Sequence, residues 1–269
     1  MIETTASLWP KDWFDPSKIR QAKPRSTGIT MVIDKGLGFH SFCDLMEVGA
    51  PYMDICKLGF GTSALYSEQS LKRKMRIAAE CNQYLMPGGT FFEIALQHDS
   101  ANSYISHIRG LGFTAVEISD GTFELPFKKR EEAIRYGVQA GLLVCTEYGK
   151  KASNFVAELE ELVETVSQDL EAGASFIIIE ARESGNVGVF NKQGELDVQF
   201  IQEVIKGVGN KAHRLIWEAP RKEQQVALLQ TLGLDVNLGN IAPSDVLSVE
   251  ALRRGLRADT SAFVFEGSL

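Results

Sequence analysis

The sequence predicts a (β/α)8 barrel, a TIM barrel, preceded by a short arm. Three observations predict it. Short apolar runs alternate with longer amphipathic stretches, which implies right-handed crossovers and a parallel sheet. Eight such strand–helix units follow residue 28, the TIM-barrel count for a chain of about 250 residues. Nearly every apolar run then breaks into an acid or a base, as expected where strand ends build an active site. A doubly wound open sheet is the runner-up, disfavoured because no G-x-G-x-x-G follows the first strand.

Residues 1–27 carry Trp9, Pro10, Trp13, Pro16 and Pro24 among charges. They read as an irregular arm whose tryptophans dock on the body or on a neighbouring subunit. The barrel is placed at 28–269. Its first strand is Ile29 to Ile33, ending in Asp34 and Lys35, with a helix from His40 to Val48 closed by Gly49. Asp54 to Leu58 is the second strand, followed by the G-F-G-T-S turn and a basic amphipathic helix from Ser67 to Asn82. Gln83 to Met86 is a weak third strand leading into P-G-G-T-F-F-E, with a helix from Ser100 to Arg109. Phe113 to Ile118 is the fourth, and Pro126 opens the helix that runs to Gln139, a favoured proline position.

The fifth strand, Leu142 to Cys145, runs into T-E-Y-G-K-K. A period of two puts Leu143, Cys145, Glu147, Gly149 and Lys151 on one side. Asn154 is the expected cap of the next helix, through Leu170. Phe176 to Ile179 delivers Glu180, Arg182 and Glu183; Arg214 to Trp217 delivers Glu218 and Arg221; Val236 to Ile241 is the eighth strand. Helices are expected at Asp197 to Lys206, Lys222 to Leu232 and Ser244 to Leu256.

Composition narrows the partners. The 269 residues are 44% hydrophobic and 23% charged, with a formal net charge of -7, and the pI is about 5.3. A nucleic-acid binder would show a basic excess, so none is expected, although an anionic substrate can still find a local cationic pocket. Cys43, Cys56, Cys81 and Cys145 form no C-x-x-C pair and read as free thiols in a reducing cytoplasm. The first ten residues lack a secretory pattern, and no apolar run approaches a membrane span.

The strand ends carry Lys35, Lys57, Glu93, Glu117, Asp120, Glu147, Lys151, Glu180, Arg182 and Glu218. Burying so many charges without compensation is costly, so a shared ligand is expected. Glu147, Glu180 and Glu218 leave consecutive strands and are the candidate metal ligands; hard oxygens suit magnesium or manganese. His40, His98, His107 and His213 offer no zinc spacing. For an anionic ligand the candidates are Thr62 and Ser63 in the G-F-G-T-S turn, Arg221 after the seventh strand, and Asn237 and Asn240 at the eighth. Many barrels seat a phosphate near the last two strands.

The segments D-K-G-L (34–37), K-L-G-F-G-T-S (57–63), P-G-G-T-F-F-E (87–93), V-E-I-S-D-G (116–121) and T-E-Y-G-K-K (146–151) resemble, in order, the phosphosulfolactate synthase family. So do I-I-E-A-R-E-S-G (178–185), E-A-P-R-K-E-Q-Q-V-A (218–227), V-N-L-G-N-I-A (236–242) and L-R-R-G-L-R-A-D-T (252–260). Phe60 and Tyr148 stand where the family tends to have tryptophan and valine, and the arm is longer than in archaeal members. The resemblance implies a barrel enzyme of coenzyme M biosynthesis and its bacterial relatives, joining sulfite to phosphoenolpyruvate with Mg2+. It implies Lys151 as general acid, with Lys150 as the fallback and Glu117 and Asp120 in the catalytic group. Lys35, Lys57, Arg182 and Arg221 would hold phosphate, carboxylate and sulfite. A homo-oligomer is expected. The alternatives are a related enolate-stabilising barrel acting on another phosphorylated or sulfonated acid, and a non-catalytic, stress-linked binding protein.

Overall fold

Eight parallel strands pair in the order β3-β2-β1-β8-β7-β6-β5-β4. They are β1 (Thr30–Asp34), β2 (Ile55–Leu58), β3 (Tyr84–Pro87), β4 (Ala115–Ile118), β5 (Leu143–Tyr148), β6 (Phe176–Ile179), β7 (Leu215–Glu218) and β8 (Asn237–Ile241). The structure, a computed structural model, describes residues 8–150, 157–181, 189–190 and 194–266. At the seam between β3 and β4, the Thr114 N–H donates to the Leu85 carbonyl at 3.1 Å, and the Leu85 N–H donates to Thr114 Oγ1 at 2.9 Å. These bonds draw the ends of the sheet into a nearly closed barrel.

The helices are α1 (Lys11–Phe14), α2 (Phe39–Gly49), α3 (Glu68–Glu80), α4 (Gly89–Ala95), α5 (Ala101–Leu111), α6 (Phe127–Gln139), α7 (Leu159–Ala172), α8 (Val198–Val208), α9 (Lys222–Leu232), α10 (Val246–Arg253) and α11 (Ala258–Phe265). Ser67, Ser100 and Asp197 cap α3, α5 and α8 through their side chains, accepting from Ser70, Ser103 and Phe200 N–H groups, which satisfies orphan donors of the first turn. The expected cap of α7, Asn154, lies outside the described residues; the helix starts at Leu159 after Glu158. Helix α4 starts within the Pro-Gly-Gly at the third strand's exit. Gly88 holds the extended cap conformation, so the glycines sit at the helix end, where their low helix propensity costs least.

The core has an outer and an inner part. The outer clusters lie between strands and helices and include Phe42, Ile105 and Val144 on one side, and Val166, Trp217 and Leu229 on the other. The inner cluster, with Met31, Ile55, Met86, Ala115, Cys145, Ile178 and Ile216, fills the barrel. All four cysteines are free, as expected, with Cys56 and Cys145 buried.

The arm is held to the barrel by its charges. Trp9 and Trp13 are 65% and 67% exposed, and it is basic residues that bind the arm to the body. Arg20 reaches Glu250 at 2.9 Å, and Arg25 reaches Asp54 at 2.8 Å. Lys23 donates to the carbonyls of Ala50, Met53 and Asn82. The second Asp54 oxygen accepts from the Thr30 N–H at 2.9 Å. The arm thus braces the amino end of the barrel and leaves the carboxyl end to the chemistry.

Candidate active site

Alternation along each strand decides what faces the barrel mouth. Two residues after the inner-core positions Met31, Ile55, Ala115, Cys145, Ile178 and Ile216 stand Ile33, Lys57, Glu117, Glu147, Glu180 and Glu218. With Phe60, Gly88, Gly89, Thr90 and Asn240 they line one cavity of about 300 Å³. The side-chain period of two therefore stacks a charged layer directly on an apolar one. Among the described residues lining it, four carboxylates face one ammonium.

Lys57 sits between two of them, with Nζ 3.3 Å from Glu117 and 3.1 Å from Glu218. Burial works against its charge, but Glu117, Glu218, Glu147 and Glu180 outweigh that and raise its pKa well above the ordinary lysine value. The other oxygens of the two acids take main-chain donors: Gly89 N–H to Glu117 at 2.9 Å and Ala181 N–H to Glu218 at 3.1 Å. Burial, aided by Glu147 and Glu218 and opposed by Lys57, pushes the Glu117 carboxyl up to about 8. Burial together with Glu218 and Glu147 likewise raises Glu180 well above the carboxylate range. Glu147 is thus among the neighbours that raise Glu117, and Glu218 among those that raise Glu180, because crowded carboxylates disfavour a further negative charge.

Small residues make this packing possible. A Cβ on Gly88 would stand 2.7 Å from the Phe60 backbone N and O, and one on Gly89 would stand 2.6 Å from Ser119 Cβ. Phe60, at φ 58°, and Asn240, at φ 53°, are non-glycine residues in the left-handed region at the cavity edge. Such strain concentrates at functional sites. Asn240 belongs to a bulge: β1 moves from Thr30 to Val32 while β8 moves from Leu238 to Ile241, which re-aims the side chain. Its buried Oδ1 has no hydrogen-bond partner among the described residues.

The other expected site residues fall into several places. Lys35 and Arg221 are exposed and follow β1 and β7, outside the cavity lining. Lys151 and Arg182 lie outside the described residues. Asp120 and Lys150 pair at 3.2 Å and face a groove beside α7 rather than the mouth. Three of the expected ligand contacts are placed elsewhere by the structure. Asn237 opens β8 at the amino end, where it accepts from the Ile29 N–H and donates to the His213 and Leu215 carbonyls. The Thr62 hydroxyl turns back to the Gly59 carbonyl at 2.7 Å. Ser63 lines a groove with Leu71, Phe91 and Tyr104 between the helices. The G-F-G-T-S turn is thus a tight strand-to-helix connection.

Ser119 joins the site between two of its acids. Its hydroxyl lies 2.7 Å from Glu93 and 2.8 Å from Glu147. Glu93 also accepts the Thr122 and Phe123 N–H groups at 2.6 and 2.8 Å, tying the loop after β4 to α4. The available signal was parity, since Ser119 follows Glu117 by two.

The donor set admits a hard cation. Among the described residues no three acid, histidine or cysteine side chains converge as a ready cage, and all four histidines are exposed. Magnesium, however, keeps several waters and needs one or two carboxylates plus substrate oxygens. The mouth offers oxygen donors whose charge exceeds that of Lys57, which matches that demand.

A family model described as (2R)-phospho-3-sulfolactate synthase (ComA) matches residues 18–259. The phosphosulfolactate synthase of Methanothermobacter thermautotrophicus is 41% identical over 90% of this chain and 94% of its own. That of Bacillus subtilis is 35% identical over 90% and 95%. Among solved structures, 3-hexulose-6-phosphate synthase from Salmonella typhimurium aligns with a TM-score of 0.54 at 14% identity. That alignment covers 89% of this chain and 96% of the other, and the likeness is one of fold. No helix among the described residues is long and apolar enough to cross a membrane.

Proposed function

Given that this chain belongs to the phosphosulfolactate synthase family, we propose that it adds sulfite to C3 of phosphoenolpyruvate, with Mg2+ as cofactor. The product is (2R)-O-phospho-3-sulfolactate. The observation that carries this reading is the mouth itself, where four carboxylates and one ammonium line a single cavity at the strand ends. Glu147, Glu180 and Glu218 are the residues that would hold the cation. Bound there, magnesium supplies Lewis-acid stabilisation for charge developing on the substrate carboxylate.

The chain's own residues do the rest. Sulfite forms the C–S bond at C3, and the displaced electron pair moves from C2 onto the carboxylate. Lys57, fixed between Glu117 and Glu218, keeps a positive charge in the mouth for that anion. Asn240 offers its amide at the same edge. Lys35 and Arg221, which follow β1 and β7, are assigned with Arg182 to phosphate and sulfonate, because an arginine fork suits tetrahedral oxyanions. A proton on C2 completes the addition, and Lys151 is assigned as its donor. Lys150 is the weaker candidate, because its ammonium is held by the Asp120 side chain and carbonyl at 3.2 and 3.1 Å.

Phosphorus NMR of phosphoenolpyruvate with Mg2+ tests the reading. Loss of substrate that depends on sulfite, with one new phosphate ester, is expected. Consumption without sulfite, or none at all, points to a different acid substrate. In the same assay Lys151→Ala is expected to lower kcat by about 10²-fold or more, and near-normal turnover removes Lys151 from the role.

A further inference from the structure

Arg130 lies on α6, outside the barrel, yet is buried. It occupies the first position of the helix's buried stripe, Arg130, Ala133, Ile134 and Gly137. Each nitrogen of its guanidinium is engaged. Nε and Nη2 grip Asp169 of α7 at 2.9 and 2.7 Å. Nη1 reaches Asp120 Oδ1 at 3.2 Å, and Nη2 also donates to the Glu147 carbonyl at 3.0 Å.

That last contact completes the edge of β5. The carbonyls of Val144 and Tyr148 point toward β6, accepting from Ser175 and Glu180 N–H groups. Those of Cys145 and Glu147 therefore point toward β4. Pairing with β4 ends at Ile118 opposite Thr146, one residue short of Glu147. Arg130 supplies the donor that β4 no longer offers. Through Asp120 it also fixes Lys150, whose Nζ binds the Asp120 carbonyl and carboxylate. The segment 147–150 is thus held at both ends from outside the barrel.

We propose that Arg130 is a positioning residue for the reaction: one guanidinium locks the exits of β4 and β5, and with them the placement of Glu147. This rests on the role given above to Glu147. The clamp acts on the chemical step, not on capture of the anions, because Lys35 and Arg221 sit on other strand exits. Lysine cannot reproduce it, since a single ammonium does not span Asp169, Asp120 and a carbonyl in one plane.

The test is steady-state phosphosulfolactate formation by wild type, Arg130→Lys and Arg130→Ala, with thermal midpoints measured in parallel. The expected result for Arg130→Lys is a kcat about 10-fold to 10²-fold lower, with KM for phosphoenolpyruvate within about twofold of wild type. Millimolar ethylguanidinium is expected to restore part of the Arg130→Ala turnover, which a loss of global fold would not allow. Unchanged kcat in a folded Arg130→Lys protein overturns the proposal while leaving the function intact. So does a loss matched by the folded fraction, without rescue by ethylguanidinium. A wild-type protein that makes no product from phosphoenolpyruvate and sulfite overturns the functional reading and this inference together.

Discussion

Lys57→Met is expected to lower product formation by at least about 10²-fold, the scale set by removing one preorganised electrostatic donor, and to destabilise the fold by about 3–5 kcal/mol. The side chain is buried, with Glu117 and Glu218 on either side of it. Methionine fills similar space but leaves those two acids without their shared cation. Two acids then lie close together in a water-poor cavity with no cation between them. That loss rearranges the Gly89 and Ala181 N–H contacts that the same side chains accept. Urea denaturation and steady-state kinetics read the two effects separately. Near-wild-type turnover in Lys57→Met would show that the central ammonium is structural filler.

Removing divalent cation is expected to abolish turnover, and the pH dependence of stability gives the mechanism a second readout. The Glu117 carboxyl is pushed up to about 8 in the folded chain, chiefly by burial, against about 4.3 when unfolded. Between those values the folded state binds more protons than the unfolded state, so stability without cation falls as pH rises through that window. Glu180 is shifted in the same direction. Magnesium held by Glu180 must displace its proton, so cation binding tightens with pH. The gain in thermal midpoint on adding Mg2+ is therefore expected to grow from pH 6 to pH 8. A gain that is absent, or constant with pH, would separate the cation from the buried acids.

Much of the barrel was legible because its strands are short apolar runs ending in charge. The rule of two placed Glu147 correctly above Cys145, since β5 keeps a regular pleat as far as Tyr148. The same rule, applied to Glu117, would have found Ser119. What could not be read depended on contacts between distant segments. Asn237 looked like a strand-end ligand, but it opens β8, and its amide is consumed by carbonyls at the amino end. Ser63 and Thr62 looked like a nest, but a tight turn spends one hydroxyl and directs the other residue outward between helices.

Buried charges on helices were hidden for a different reason. Arg130 sits in a K-K-R-E-E run that reads as a solvated face, yet it shares the stripe of Ala133, Ile134 and Gly137. Lys74 is the same case within Leu71, Met75 and Ala78, and its ammonium meets Asp34 and the Tyr66 hydroxyl. A cation at an apolar position of the helical repeat is the signal, and it predicts a buried partner. The arm offered its tryptophans as the visible feature. Its docking on the body uses Arg20, Lys23 and Arg25, whose partners lie in three other parts of the chain.

The most direct measurement is a crystal structure of the protein soaked with Mg2+ and phosphoenolpyruvate. The expected density shows the cation on carboxylates from among Glu147, Glu180 and Glu218, with the substrate carboxylate beside it and C2 within reach of Lys151. Ligand density in the groove beside α7 or between α3 and α5, with the acid-lined mouth holding water alone, would contradict the account.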